Sequence, residues 1–293
     1  MTGTGGLRVT FWGVRGSTPC EGEQYTRYGG HSSCVSVECG NEPPVVFDLG
    51  TGLTPYGAAL GGPEARFVGT VLLTHLHWDH VQGLPFFPPL FNPRSSADIY
   101  GPRQEEGTLA DVFDGLMRPP YFPVRARDLP GEVRWHDVGD DSFAVGTGAK
   151  VQSRFVRHVG ATLGFRVDWH RASVAYIADH GQGCGSAPRD DYIPDAVFEL
   201  CDGVDLLIHD AQHTAPEFES KRHWGHCTHD YALHVAREAG AKRLALFHHD
   251  PAHGDDAVDE ILTSTCDGSA HKGGPEVIAA AEDQVVELGG NSR

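Results

Sequence analysis

Short apolar runs separated by glycine and proline indicate that the first half of the chain is mostly strand. They predict strands at residues 7–12, 34–39, 45–49 and 67–73. Residues 54–60 are predicted to form a short helix, and apolar residues at helical spacing predict another at 105–117. The proline-rich stretches 85–93 and 119–130 are predicted as loops, of which the second is also aromatic and would cover a site or pack on the surface.

The second half alternates between apolar strands and helices. Strands are predicted at residues 150–156, 163–169, 173–177, 204–208 and 243–247, and helices at 194–200, 229–239 and 255–265. Alternating and meander-like runs both occur, so we expect mixed β-sheets covered by helices, a layered α/β architecture. Chemically interesting motifs follow strands in both halves, and we therefore expect one domain over residues 1–293 rather than two.

Charge and cysteine content limit the kind of protein this is. The 293-residue chain has a net charge of −17, which repels nucleic-acid phosphates at long range, although bound metal ions can reverse the sign locally. Its seven cysteines are odd in number and form no C-x-x-C motif, which is typical of a reduced, cytoplasmic protein. The first six residues lack an apolar signal region and no apolar run has bilayer length, so we expect no membrane partner.

Four side chains that can bind metals follow the predicted strand at 67–73. His75, His77, Asp79 and His80 lie within six residues, and imidazole and carboxylate are ligands of zinc and other first-row metals. Burying so many without partners would cost several kcal/mol. Because the first two can face one way and the last two another, the loop suits two metals rather than one. A polar surface loop with incidental histidines is the alternative.

The segment T-H-L-H-W-D-H resembles the H-x-H-x-D-H motif of the metallo-β-lactamase superfamily. The resemblance extends to about residue 251. It implies a four-layer αββα sandwich of two mixed β-sheets flanked by helices, with the metals at one edge between the sheets.

The resemblance also implies ligands elsewhere in the chain. His158 in R-F-V-R-H-V-G fits the next expected histidine, and Asp179 in V-A-Y-I-A-D-H fits the aspartate that bridges the metals. The segment L-A-L-F-H-H-D-P offers His248 as the last ligand, with His249 as the alternative, because neighbouring strand residues cannot both point at one metal.

Seven ligands around two cations are therefore expected. The first cation would take His75, His77 and His158. The second would take Asp79, His80 and His248. Asp179 would lie between them, and a hydroxide bridging both cations would be the nucleophile. Zinc suits these ligands, with manganese or iron as alternatives.

Three further segments resemble the ribonuclease Z and cyclic phosphodiesterase branch of the superfamily. They are F-W-G-V-R-G-S-T-P, L-L-I-H-D-A-Q-H-T and W-G-H-C-T. The second is similar to the branch's H-E-A-T segment with Asp210 in place of glutamate, and the third to its G-H-S-T segment with His226. The resemblance implies that Asp210 orients His226, which stabilises the transition state or protonates the leaving oxygen. Together with Asp79 they form the predicted catalytic group, and Asp48 in V-F-D-L-G-T-G is expected to support the metal loop.

The expected function is hydrolysis of a small or cyclic phosphodiester such as a cyclic nucleotide. Alternatives are a hydrolase of carboxylic esters, lactones or amides, a ribonuclease Z-like RNA nuclease that lacks the tRNA-binding arm, and a metal sensor without activity. Only 21 residues separate His158 from Asp179, too few for such an arm, and the negative charge also argues against tRNA as a partner. An insertion at about 85–135, with arginines near Tyr121 and Phe122, would cover the site and contact the substrate, or form an ordinary surface subdomain. The family also suggests a homodimer.

Overall fold

Two facing β-sheets form the centre of the molecule. The computed structural model describes residues 5–146, 148–183, 189–270 and 273–289, so Cys184 and residues 1–4 of the sequence analysis lie outside the described residues. The strands are β1 (Leu7–Gly13), β2 (Cys34–Cys39), β3 (Val45–Phe47), β4 (Val68–Leu72), β5 (Ser96–Pro102), β6 (Glu132–Val138), β7 (Asp141–Val145), β8 (Ala149–Phe155), β9 (Leu163–Trp169), β10 (Ala172–Ile177), β11 (Leu206–Asp210), β12 (Arg243–Phe247), β13 (Glu276–Ala279) and β14 (Val285–Leu288).

Both sheets mix parallel and antiparallel pairs. The order is β14-β1-β2-β3-β4-β5-β6 in the first sheet and β13-β12-β11-β10-β9-β8-β7 in the second. In the first sheet β3 to β6 pair in parallel, and in the second β10 to β13 do so. Parallel neighbours end at the same edge of a sheet, so the residues that follow these strands are brought together.

The described residues form seven α-helices, several of which pack on the outer faces of the sheets. They are α1 (Leu53–Ala59), α2 (Trp78–Val81), α3 (Leu109–Leu116), α4 (Asp195–Cys201), α5 (Ala215–Lys221), α6 (His229–Glu238) and α7 (Asp255–Ala270). Helices α1 and α3 pack on the first sheet, and α4 and α6 pack on the second. Among the described residues no helix is both long and apolar enough to cross a bilayer.

The main hydrophobic core lies between the two sheets, so the strands that face it are apolar. Phe47 of the first sheet stacks on Tyr176 of the second, with ring centroids 4.6 Å apart, and Phe247 packs on the edge of Tyr176. Every residue of β10 and β11 is buried, because one face meets the first sheet and the other meets helices. These four layers confirm the αββα sandwich.

Some elements were not predicted from the sequence. Strands β5, β6 and β7 lie where loops or no element were expected, and β13 and β14 follow the last predicted helix. Residues 85–93 contain two short 3₁₀ turns rather than only loop. Strand β5 and the start of β6 place two short parts of the segment 85–135 inside the first sheet, while α3 and residues 119–130 lie outside it.

Candidate active site

The loop after β4 carries the first four predicted ligands and turns sharply at His77. His77 is extended and exposed, and the one-turn helix α2 begins at the next residue, so Asp79 and His80 point into the protein. The carbonyl of Thr74 in the same loop accepts a hydrogen bond of 2.9 Å from the amide of Leu163 in β9. This loop therefore joins the two sheets at the edge where the other predicted residues arrive.

The first group of ring nitrogens comes from His75, His77 and His158. Nε2 of His158, which lies in the β8–β9 connection, is 3.2 Å from Nδ1 of His77 and 3.4 Å from Oδ2 of Asp179. Nε2 of His75 lies 3.6 Å from the same aspartate oxygen. One ligand atom from each of these four residues falls within 4.8 Å of all the others, which is close enough for a single cation.

The second group contains Asp79, His80 and His248. Oδ2 of Asp79 lies 3.1 Å from Nε2 of His248 and 3.2 Å from Nε2 of His80. Oδ1 of Asp179 is 3.1 Å from Nε2 of His80, so the two oxygens of this aspartate face different groups. His249 points away, with its Nε2 against the carbonyl of Ala280 at 2.9 Å. Of the two adjacent histidines, the structure thus brings His248 to the cluster.

The hydrogen bonds around the two groups fit divalent cations. Four histidines hold their outer ring nitrogen, Nδ1, against a partner behind them. The partner is Thr74 for His75, Asp48 for His80, the carbonyl of Gly225 for His158 and Gln212 for His248. These contacts direct each Nε2 inwards. Within the described residues, Nε2 of His75 and of His80 and Oδ1 of Asp179 are buried without an aligned hydrogen bond. Buried polar atoms normally have partners, and inward-facing nitrogens held by outer acceptors are the usual arrangement of metal ligands. The cluster therefore has the donor atoms and the arrangement that a divalent-metal site requires.

Asp48 supports the loop after β4 through contacts to Thr74 and His80 and is itself held by Tyr176. One carboxylate oxygen accepts from the amide and hydroxyl of Thr74 at 2.8 and 2.9 Å. The other lies 2.7 Å from Nδ1 of His80 and accepts from the hydroxyl of Tyr176 at 2.8 Å. Asp48 is completely buried, so these contacts fix the position of His80 from the core side.

Asp210 and His226 form a pair beside the cluster. Nδ1 of His226 lies 2.9 Å from Oδ2 of Asp210 and 3.8 Å from Oδ2 of Asp179. The amides of His180 and Gln212 donate to Asp210 and hold its carboxylate in place. Burial alone would lower the pKa of His226, but Asp210 outweighs it and raises this pKa to about 9. Asp210 therefore favours the charged form of the imidazole.

Two residues that contact the cluster, Ser17 and Gln212, were missed by the sequence analysis. The amide of Ser17 donates to Oδ2 of Asp79 at 2.7 Å, and Gln212 lies between Ser17 and His248. Gly16 is also required, because a Cβ there would lie 2.4 Å from Nδ1 of His248. The segment F-W-G-V-R-G-S-T-P, which contains Ser17, carried part of the family resemblance. Neither its spacing nor its residue types indicate which atoms would reach the cluster.

The two groups face an open cleft of about 370 Å³. Its lining includes Ser17, Leu76, Trp78 and His226 beside the cluster residues. A bound molecule can reach both the exposed side of the cluster and the imidazole of His226.

Comparisons with known proteins agree with this architecture. The model of the beta-lactamase superfamily domain matches residues 46–249. The ribonuclease Z of Methanothermobacter thermautotrophicus is 26% identical over 83% of this chain and 86% of its own. Among solved structures, the metallo-beta-lactamase fold protein YhfI from Bacillus subtilis matches with a TM-score of 0.70 at 19% identity, covering 96% of this chain and 99% of its own. The short form of human tRNase Z gives 0.67 at 21% identity, covering 95% and 98%.

The family model covers more than half of the chain, and the two structures share its fold. The resemblance inferred from the motifs is thereby confirmed, together with the ribonuclease Z-like branch. The chain therefore belongs to the beta-lactamase superfamily and is a hydrolase with the metallo-β-lactamase fold.

Proposed function

We propose that the chain is a phosphodiesterase that uses two divalent cations held in the histidine and aspartate cluster. The observation that carries this proposal is the Asp210–His226 pair, 2.9 Å apart at the edge of the cluster. A phosphodiester carries a negative charge, and its cleavage breaks a P–O bond and expels an alkoxide. A protonated histidine can stabilise the charge on the phosphoryl group and protonate the leaving oxygen. A neutral lactam or ester offers no such charge before attack.

The ligand groups divide the work of holding the cations. His75, His77 and His158 would hold one, Asp79, His80 and His248 the other, and the two oxygens of Asp179 would reach both. Cations held there supply Lewis-acid chemistry, because they draw charge from a bound phosphoryl group and lower the pKa of water. The donor set favours zinc, with manganese or iron as alternatives.

Proton transfer would belong to His226. Its Nδ1 is committed to Asp210, so its Nε2 is free to donate in the cleft that the ring lines. Asp210 favours the charged form of the imidazole and fixes its orientation, because the carboxylate itself is held by backbone amides. Asp79, which Ser17 orients, belongs to this catalytic group as well as to the ligand set.

Two classes of substrate have comparable support. The cleft would accept a small or cyclic phosphodiester, while the relatives that cover most of the chain are ribonuclease Z proteins, which supports an RNA substrate. The sequence-based prediction against tRNA is not borne out by these relatives. A net charge of −17 describes the whole surface, whereas the cations of the cluster would set the sign where a phosphate binds.

The test is hydrolysis by the purified, zinc-loaded protein. We expect release of p-nitrophenol from bis(p-nitrophenyl) phosphate, its loss after chelation and its return with added metal, and no hydrolysis of a chromogenic lactam. Turnover of the lactam alone would overturn the proposal. Comparing kcat/KM for 2′,3′-cyclic nucleotides and for a precursor tRNA then decides between the two substrate classes.

A further inference from the structure

A second, apolar pocket opens beside the metal cleft. It has a volume of about 210 Å³, and its walls include Trp78, Phe86, Phe113, Met117, Tyr121 and Phe122. Phe86 and Phe122 meet edge to face with centroids 5.7 Å apart. The pocket thus gathers aromatic rings from the metal loop, from the turn after it and from the segment that follows α3.

Trp78 connects this pocket to the cleft, because its side chain lines both. It stands between His77 and Asp79 in sequence, and these two residues line the same cleft. The pocket alone is smaller than the roughly 300–1,000 Å³ typical of a site for a whole small molecule. It therefore suits one substituent of a molecule whose remainder lies in the cleft.

Three of the rings are exposed to water to an unusual degree. The exposed fractions are 63% for Trp78, 58% for Phe86 and 75% for Tyr121. Clustered exposed aromatic rings commonly mark a binding surface. None of the described residues that line the pocket is charged, and the side-chain amide of Gln82 donates to the hydroxyl of Ser32 at 3.4 Å. The chemistry favours a flat, uncharged group that stacks on aromatic faces.

We propose that this aromatic pocket binds a nucleobase of the substrate while the phosphate attached to the same nucleoside lies at the metal cluster. The inference rests on the proposed phosphodiesterase function and narrows its substrate to nucleotides. A nucleobase is flat and neutral, and it stacks on aromatic side chains whatever its sequence. An aliphatic substituent would fill the pocket but would gain nothing from the orientation of the rings.

Binding calorimetry on the zinc-loaded protein tests the pocket apart from catalysis. The probes are adenosine 5′-monophosphate and adenosine 3′-monophosphate, with ribose 5-phosphate as the reference that lacks a base. We expect at least one adenosine monophosphate to bind about 10- to 100-fold more tightly than ribose 5-phosphate, as base stacking usually contributes. Equal affinities, or no binding of either nucleotide, would overturn the proposal.

Variants on the wall far from the ligands locate the effect. Tyr121→Ala and Phe86→Ala should each reduce the preference for the nucleotide several-fold and leave the affinity for ribose 5-phosphate unchanged. Phe91→Ala is the matched control, since Phe91 is also exposed, at 43%, but does not line the pocket. An unchanged preference in both wall variants would contradict the assignment. So would a change of molecular mass between the original protein and these variants in light scattering, because it would indicate that a second copy of the chain covers the rings.

The outcomes separate this inference from the proposed function. If the nucleotide preference and its loss in the variants are found but bis(p-nitrophenyl) phosphate is not hydrolysed, the base pocket stands and the phosphodiesterase proposal falls. If the phosphodiester is hydrolysed and the preference is absent, only the pocket is wrong.

Discussion

The two ligand groups around Asp179 are built differently. In the first, His77 is exposed while the side chains of His75 and His158 are almost fully buried, and the outer contacts of His77 and His158 are to a neutral carbonyl or to each other. In the second, Asp79, His80 and His248 are all buried, and His80 rests on the carboxylate of Asp48. Both groups border the cleft, the first through His77 and the second through Asp79 and His248, but only the first has an exposed member.

The charges of the two groups also differ. In the first, burial lowers the pKa of His75, His77 and His158, so these rings are neutral and ready to bind a metal. In the second, burial alone would lower the pKa of His80, but Asp79, Asp179 and Asp48 raise it. A cation entering the second group displaces a proton and is attracted by more negative charge. We therefore expect the second group to bind its cation more tightly, especially at higher pH.

The largest effect is expected where the two groups meet. Asp179→Ala removes oxygens that face both groups, so it should eliminate both cations and reduce turnover to the level of the metal-free protein. Metal content after dialysis, measured by mass spectrometry, gives the number of ions per chain. Retention of a full complement of metal would show that the aspartate does not join the groups.

Removing one ligand from each group compares them directly. His80→Ala should lower the metal affinity of the second group by more than the 10–100-fold typical of a lost supporting residue. His77→Ala should lower the metal affinity of the first group by a smaller factor. His80→Ala should also lower the melting temperature, because it leaves the buried carboxylate of Asp48 short of a partner. Chelator titrations of both variants measure the loss of metal affinity in each group. Equal losses would contradict the expectation that the second group binds its cation more tightly.

The structure brings together the residues that the resemblance implied at this edge, and the fold gives a physical reason for it. Metal ligands that follow a strand within a few residues form a local pattern, and parallel strands bring such ends together, as at Asp179 and His248. The choice between His248 and His249 could not be made from alternation, since His248 has a φ of 61° and leaves the strand geometry. The ligand set and the single-domain arrangement stay predictions.

Contacts that depend on tertiary structure could not be predicted in this way. Ser17 reaches Asp79 across 62 residues, and Gln212 touches Ser17 and His248 from another strand end. Strand β6 has a charged residue or histidine at several positions and only half-buried apolar ones, so its apolar signal is weak. The aromatic pocket likewise forms only when α3 and the segment after it fold back on the metal loop.

A smaller effect on rate, with none on metal content, is expected from His226. His226→Ala should lower kcat by about 10²–10⁴-fold, the usual contribution of a general acid or base, while both groups keep their cations. Steady-state kinetics on bis(p-nitrophenyl) phosphate, combined with metal analysis, measures the two quantities separately. Loss of metal in parallel with activity would mean that His226 acts as a ligand, which its 3.8 Å distance from Asp179 allows.

The smallest effect is expected from a change behind His80, on the side of the core. Asp48→Asn keeps the shape of the side chain but weakens the contact that directs Nε2 of His80 inwards. We expect a 10–100-fold loss of metal affinity, the usual effect of changing a residue behind a ligand, confined to the second group. Asp98→Asn is the matched control, because it weakens a 2.9 Å contact between an aspartate and His136 elsewhere in the same sheet. Chelator titration should resolve two steps, of which only the tighter moves in Asp48→Asn and neither moves in Asp98→Asn. If the weaker step moved instead, the buried carboxylate would not be what makes the second group strong.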